Sequence, residues 1–447
     1  MLKIINLKDE VKNRPNLKKI VLNSSWIFTD NGIRIVVNFV VSIWIARYLG
    51  PDMFGALSYS IAFVSLFNIV ANLGINDIVV RELVKFKSRQ SEIMGSAFVL
   101  KALGAVLSIL IAAGFVFLTR SNQPQTVLMV FLISCGFIFQ SLDVIDLQYQ
   151  SKVMSKYSIW AKNSAFLLTS ALKVYFILSG MPVVYFASAV LIEAAIGSAG
   201  VIYIYHRQKN NIFRWKIDKK ISRELFLLGL PILLAGTLSL FYLKIDRILI
   251  GQIMGDDALG KYSAATALCD PWIFVPSAIA TSVFPAIIST KTRDSALYVA
   301  RMQQLYSFLA QIAFIIAVVT AILSPFLIKI LYGQSYSGAA SVLSIYIWTI
   351  VFVFIDAGAM KWFLVEHLQR YLAYRALIGA VSALALNYFL VGKFGIIGGA
   401  VAAVSTQFVV IYLSNLWFYK TRVLFRMQTK AILDVLTLKN FKYFFKR

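Results

Sequence analysis

Apolar runs of 18 or more residues recur along the whole of this chain, and each is long enough to cross a hydrocarbon core of about 30 Å as a helix. In lipid, the backbone N–H and C=O groups must be satisfied within the protein itself. Consecutive runs of this length can therefore build a helical bundle but not an open sheet. The fold class is an all-α integral membrane protein. Composition agrees, with 59% of the 447 residues hydrophobic and a mean hydropathy of +0.76, against about 45–50% apolar content in soluble domains.

The hydropathy pattern predicts twelve spans, at about 21–47, 54–78, 93–118, 125–146, 156–179, 182–205, 225–254, 259–289, 303–331, 338–361, 371–391 and 396–419. The first reads as a retained helix rather than a signal peptide, because the apolar stretch after Lys18 and Lys19 is too long for a cleaved segment. Assigning the N-terminus to the cytoplasm places 33 Lys and Arg residues in cytoplasmic segments and three, Arg120, Lys261 and Lys393, in external turns. That asymmetry sets the orientation, with both termini cytoplasmic. It also accounts for the net charge of +24 without nucleic acid. With Cys135 and Cys269 in predicted helices, and His206 and His367 the only histidines, neither a structural disulfide nor a metal site is expected.

The chain reads as two parallel halves. Gly50-Pro51-Asp52-Met53-Phe54-Gly55 joins the first two spans, and Gly255-Asp256-Asp257-Ala258-Leu259-Gly260 joins the seventh and eighth at an offset of 205. Gly50 and Gly255 are expected to end one helix in a left-handed conformation, with Asp52 and Asp257 capping the next. Gly55 and Gly260 complete the repeated turn. The expected organisation is a cytoplasmic N-tail at 1–20, an N-lobe at 21–205, a basic linker at 206–224, a C-lobe at 225–419 and a basic C-tail at 420–447. Two parallel six-helix lobes would be related by an axis along the membrane normal, with the site between them.

Eight further cations fall inside the spans: Arg34, Arg47, Lys101, Lys162, Lys173, Lys244, Arg247 and Lys329. A cation at mid-bilayer costs about 2.5–3.5 kcal/mol on insertion scales, so these residues suggest a hydrated interior and an anionic cargo. Each also has a plainer reading. Asp30 and Arg34 can pair at i,i+4. Arg47, Lys101 and Lys329 lie near helix ends and can snorkel. Asp246 and Arg247 are adjacent, face different directions and can each pair with another helix. Lys162 and Lys173 have no acidic residue within four positions, and they are assigned to the cavity. Glu193, Asp270 and Asp356 are expected to neutralise those lysines, with the alternative of carrying a coupling ion.

Helical spacing gathers the polar residues into stripes. Asn31, Arg34 and Asn38 share a face of the first span, while Ser58, Ser65, Asn68 and Asn72 share one on the second. Ser158, Lys162, Thr169 and Lys173 line the fifth, and Thr237, Lys244, Arg247 and Gly251 the seventh. The eighth carries Ser263, Thr266, Asp270, Ser277 and Thr281, with Pro271, Pro276 and Pro285 interrupting its backbone donors. A cavity between spans one, two, seven and eight is the reading these stripes favour.

The stretch Ala46-Arg47-Tyr48-Leu49-Gly50-Pro51-Asp52-Met53-Phe54-Gly55 resembles the first-turn signature of Wzx-type O-antigen and capsule repeat-unit flippases, in the polysaccharide transporter branch of the MATE-like flippase superfamily. Leu73-Gly74-Ile75-Asn76, Arg81-Glu82, Asp246-Arg247 through Gly260, Leu331-Tyr332-Gly333 and Asn387-Tyr388 match in the same order. The resemblance implies a MATE-like fold of twelve helices in two pseudo-symmetric lobes. It also implies a cargo of undecaprenyl-diphosphate-linked oligosaccharide, carried from the cytoplasmic to the periplasmic leaflet with proton or sodium coupling and no bound cofactor. A glycan polymerase and a chain-length regulator are the implied partners in the same membrane. A diphosphate suits cationic side chains in a partly dehydrated cavity.

Two other function classes compete. An exporter of small cationic drugs in the same superfamily would favour acidic cavity residues, whereas eight bases here face five acids, Asp30, Glu193, Asp246, Asp270 and Asp356. A membrane glycan polymerase or ligase would need a large external loop, and none here exceeds about ten residues. A lipid II flippase is nearer, but fourteen helices are usual there.

Overall fold

The computed structural model describes residues 15–291 and 294–437, with side chains from Asp30 to Val435 within those ranges. Every regular element among the described residues is a helix. Nine helices among them are long and apolar enough to cross a bilayer. Two of these nine, Asp30–Lys85 and Arg370–Trp417, contain a non-helical glycine, Gly50 and Gly395 respectively. Lys156–Leu178, which carries Lys162 and Lys173, is not among the nine. The all-α membrane architecture is clear, while twelve crossings remain the expectation from hydropathy.

The chain divides into two compact units, Met1–Tyr48 with Tyr59–Thr237, and Leu49–Ser58 with Leu238–Arg447. The division falls inside the Lys219–Ile253 helix, past Pro231, rather than in the 206–224 segment. That segment is docked on unit 1. Lys216 N–H donates to the Ser91 carbonyl at 3.1 Å, and Ser91 Oγ donates to the Arg214 carbonyl. The Trp215 indole donates to Tyr205 Oη at 3.2 Å. Gly95 lies so close to the Lys216 backbone that a side chain there would overlap it. Beneath this strap, Ile78, Val79, Leu83, Met94 and Tyr205 belong to a buried apolar cluster that seats the first turns of Lys219–Ile253 through Ile221 and Leu225.

In unit 2, the two repeated turns pack against each other. A Cβ added at Gly55 would run into the Asp256 carbonyl, and one at Gly260 would run into the Pro51 carbonyl. These contacts are reciprocal under the offset of 205, and they explain why Leu49–Ser58 belongs with unit 2. Gly50 (φ 72°, ψ 171°) and Gly255 (φ 85°, ψ 179°) have the positive φ that favours glycine, but with extended ψ rather than the expected left-handed helical cap. The expected capping at Asp257 is also corrected. Gly255 is itself the N-cap, and Asp257 lies in the following turn, pairing with Lys261 at 2.6 Å. There its charge complements the positive end of the helix. Asp52 occupies the equivalent place after Gly50.

The Arg422–Thr437 helix lies within the segment expected as a basic tail, and it packs on Ser295–Leu331. Ser307 Oγ donates to Asp434 at 2.7 Å, and Asn415 donates to Gln428 at 3.0 Å. The basic residues expected in the N-tail at 1–20, and Lys439, Lys442, Lys446 and Arg447, lie outside the described side chains.

Asp218 caps the Lys219–Ile253 helix by accepting from the backbone N–H groups of Lys220 (2.7 Å) and Ile221 (3.0 Å), and it pairs with Arg89 at 3.3 Å. The Ile221 N–H, followed by that of Lys220 and the Arg89 guanidinium, holds this carboxyl below the usual carboxylate range. Because the shift is downward, its stabilisation is present above that range and is lost as pH falls through the depressed value. Asp218→Ala is expected to speed amide exchange at residues 219–222 near neutral pH. Acidification should lower protection there in the wild type, relative to the intrinsic exchange rate at each pH, and have little further effect on protection in the variant.

Candidate functional site

The charged site of unit 1 is built on helical hairpins. Val183–Arg207 packs against both Lys156–Leu178 and Pro124–Gln140. After Gln140 the chain makes a 3₁₀ turn over Ser141–Asp143 and continues as Val144–Ser151. Ser141 Oγ donates back to the Ile138 carbonyl at 2.6 Å, a bond of the kind that bends a helix. Asp143 and Asp146, three residues apart, then reach the same lysine. Lys162 Nζ is 2.9 Å from Asp143 and 3.3 Å from Asp146, and Ser158, one turn earlier, donates to Asp146.

Glu193 is the second node. It is 3.7 Å from Arg34 and 3.9 Å from Lys173, and it accepts from Thr169 at 3.3 Å. Arg34 also pairs with Asp30 at 3.3 Å, as its i,i+4 spacing suggests, and lies 4.9 Å from the centre of the Phe166 ring. Arg34, Gln140, Asp143, Lys162, Glu193 and Ser198 line a polar cavity of about 270 Å³. Asn68 donates to Gln140 at 3.3 Å and receives a bond from Asn72, so both reach the cavity wall through Gln140. Asn38 is exposed, one turn beyond Arg34.

Lys101 departs from its expected snorkelling. It is 1% exposed, donates to Asn76 Oδ1 at 3.1 Å, and lies within electrostatic reach of Asp143, Asp146 and Lys162. Arg47 and Lys329, the other two residues of that group, are exposed.

Unit 2 holds the second set. Asp246 is buried and accepts from Tyr262 Oη at 2.6 Å, while Arg247 donates to Thr266 at 3.1 Å, so both adjacent charges engage the Asp256–Ala267 helix. Asp270 and Asp246 lie within electrostatic reach of Lys244 and Arg247. Asp356 was expected to neutralise Lys162 and Lys173. It instead binds Arg375 at 2.6 Å, and Asp270 faces the unit 2 cations. Arg375 is 5% exposed, and its Nε donates to the Val410 carbonyl at 3.0 Å. That carbonyl sits in a π-helical stretch, Phe408–Leu413, where the helical ladder is loosened and an outside donor can be accommodated. Near Asp246, a cavity of about 30 Å³ is bounded in part by Asn387 and Thr406.

Sequence reasoning missed Asp143, Asp146 and Arg375. A usable signal existed for the first two. Folding the chain about the short connection 152–155 sets 143–146 opposite 158–162, so Lys162 faces two carboxylates across a hairpin although none is near it in sequence. The same hairpin logic sets Asp356 opposite Arg375 across 366–369, whereas no signal marks the Val410 carbonyl, which depends on the π-helical irregularity.

A family model described as polysaccharide biosynthesis protein matches residues 20–291. The chain belongs to this family. It is 24% identical over 402 residues to a Shigella flexneri protein named "Putative O-antigen transporter", covering 86% of this chain and 94% of the relative. It is 21% identical over 409 residues to the capsular polysaccharide biosynthesis protein CapF of Staphylococcus aureus, covering 90% and 99%. Its fold is similar to that of the lipid II flippase MurJ in an inward closed conformation, with TM-score 0.73, 14% identity and coverage of 94% and 92%. An inward-facing MATE family multidrug transporter gives TM-score 0.63 at 13% identity, with coverage of 89% and 96%. One relative is named as a transporter, and the two similar solved structures are a flippase and a multidrug transporter, in line with the resemblance carried by the turn motifs.

Arg375→Met would leave Asp356 and the Val410 carbonyl without this donor. Breaking a buried pair from one side costs about 3–5 kcal/mol, so a marked fall in the melting temperature of the detergent-solubilised protein is expected. Asp356→Asn in the same chain should recover part of it.

Proposed function

We propose that this chain is a flippase that moves an undecaprenyl-diphosphate-linked oligosaccharide repeat unit, for O-antigen, capsule or another polysaccharide, across a bacterial inner membrane by alternating access. The observation that carries the reading is the polar cavity of unit 1. It brings Arg34 and Lys162 together with amide and hydroxyl groups inside an otherwise apolar helical bundle. Those are the groups that a diphosphate and a sugar need. Family membership, and relatives named for O-antigen transport and capsule biosynthesis, support the same cargo class. Lys162 and Lys173, with Arg34, Asn38, Asn68 and Asn72, are the proposed cargo residues of unit 1, and Lys244 and Arg247 those of unit 2. Asp30, Glu193 and Asp270 balance these charges, Asp356 balances Arg375, and transport draws on a proton or sodium gradient. A polymerase and a chain-length regulator in the same membrane receive the cargo.

The carboxylates at Asp143 and Asp146 favour one second reading, an exporter of organic cations. Drug susceptibility of a deletion strain separates the two. Under the flippase reading, deletion accumulates a lipid-linked oligosaccharide without changing drug tolerance.

Lys162→Ala combined with Lys173→Ala is expected to abolish surface glycan while the protein remains in the membrane. Normal glycan would remove these lysines from the cargo path. For orientation, a cytoplasm-active reporter fused after residue 215 should be active, and activity of an export-dependent reporter at that point would reverse the topology.

A further inference from the structure

The cations of the unit 1 cavity are all engaged. Among the described residues, Arg34 and Lys162 on the cavity wall, with Lys101 and Lys173 nearby, face Asp30, Asp143, Asp146 and Glu193, four cations against four carboxylates. The cavity is a compensated network rather than a bare cationic well, and an anion entering it meets negative charge at the same place as positive.

The compensation is uneven. Lys162 is shared by two carboxylates, and its side chain is 33% exposed, with Asp143 at 31% and Asp146 at 20%. Asp143 and Lys162 both line the cavity, whereas Asp146 is also held by Ser158. Partly solvated pairs such as these are weakly bound compared with buried ones, so a lysine between two carboxylates can leave one of them at modest cost.

We propose that the cargo's diphosphate binds by ion exchange at Lys162. It displaces Asp143, and then Asp146, as the lysine's counter-ion, and the carboxylates reclaim the lysine when the cargo leaves. The physical reason lies in the two halves of a transport cycle. An unpaired lysine would be costly inside the membrane when no cargo is present, and it would hold a diphosphate too tightly for release. Resident carboxylates solve both problems, because a lysine–carboxylate pair is traded for a lysine–phosphate pair while the displaced carboxylates keep Lys101 within electrostatic reach. No covalent bond is made or broken. The inference rests on the flippase reading above and adds the device that makes binding reversible.

The test uses the full-length protein in nanodiscs, with farnesyl diphosphate as the probe and farnesyl monophosphate as the control. Asp143→Asn/Asp146→Asn removes the competing charges and should tighten farnesyl diphosphate binding roughly tenfold or more, a step of about 1.4 kcal/mol. In cells the same variant should export less glycan, because release is slowed. Asp143→Asn alone should lie between it and the wild type. Lys162→Met should lose the preference for diphosphate over monophosphate, and Lys162→Arg, which keeps the ion pairs, should retain it. Unchanged or weaker binding in folded Asn variants would overturn the exchange. A deletion strain that accumulates no lipid-linked oligosaccharide would overturn the flippase reading and the exchange with it. A deletion strain that does accumulate it, with binding indifferent to Asp143 and Asp146, would overturn the exchange alone.

Discussion

A charge carried into a bilayer must be compensated by a group on a neighbouring helix, and unit 1 is organised around that requirement. Lys162 stands between two carboxylates from the preceding helices, and Glu193 serves both Arg34 and Lys173. These contacts tie the first, fourth, fifth and sixth predicted spans to one another. They also explain how a helix as polar as Lys156–Leu178 is accommodated among apolar neighbours: its charged face is turned toward carboxylates and a polar cavity.

Backbone irregularities put the partners in reach. The 3₁₀ turn at Ser141–Asp143 lies where Asp143 and Asp146 are aimed at Lys162. In unit 2, the π-helical stretch Phe408–Leu413 offers the Val410 carbonyl to Arg375, whose other end holds Asp356. Glycines act differently. Gly55 and Gly260 let two repeated turns meet backbone to backbone, a contact any side chain would block. Irregular backbone is tolerated at membrane depth where side chains or neighbouring segments satisfy the groups it frees.

A compensated cavity changes the meaning of the charge pattern. Counting intramembrane cations alone suggests a site that simply attracts anions. With Asp143 and Asp146 in place, affinity becomes a difference between two similar ion pairs. A carrier has to bind and then let go, and a near-balanced exchange suits that task better than a strong well.

The length and recurrence of apolar runs determined the helical membrane fold, because lipid leaves the backbone no other way to satisfy its hydrogen bonds. The offset of 205 between the glycine turns was legible for a local reason: glycine is favoured at the positive φ that Gly50 and Gly255 adopt. The i,i+4 pair Asp30–Arg34 could be read directly, since helix geometry alone brings it together. The partners of Lys162, Lys101 and Arg375 could not be read from neighbouring positions. Each lies 16 to 35 residues away along the chain and meets its cation only once hairpins and helix irregularities have formed. Sequence set which charges enter the membrane; tertiary packing decided which opposite charge or dipole each would meet, because compensation acts through space over a few ångströms rather than along the chain.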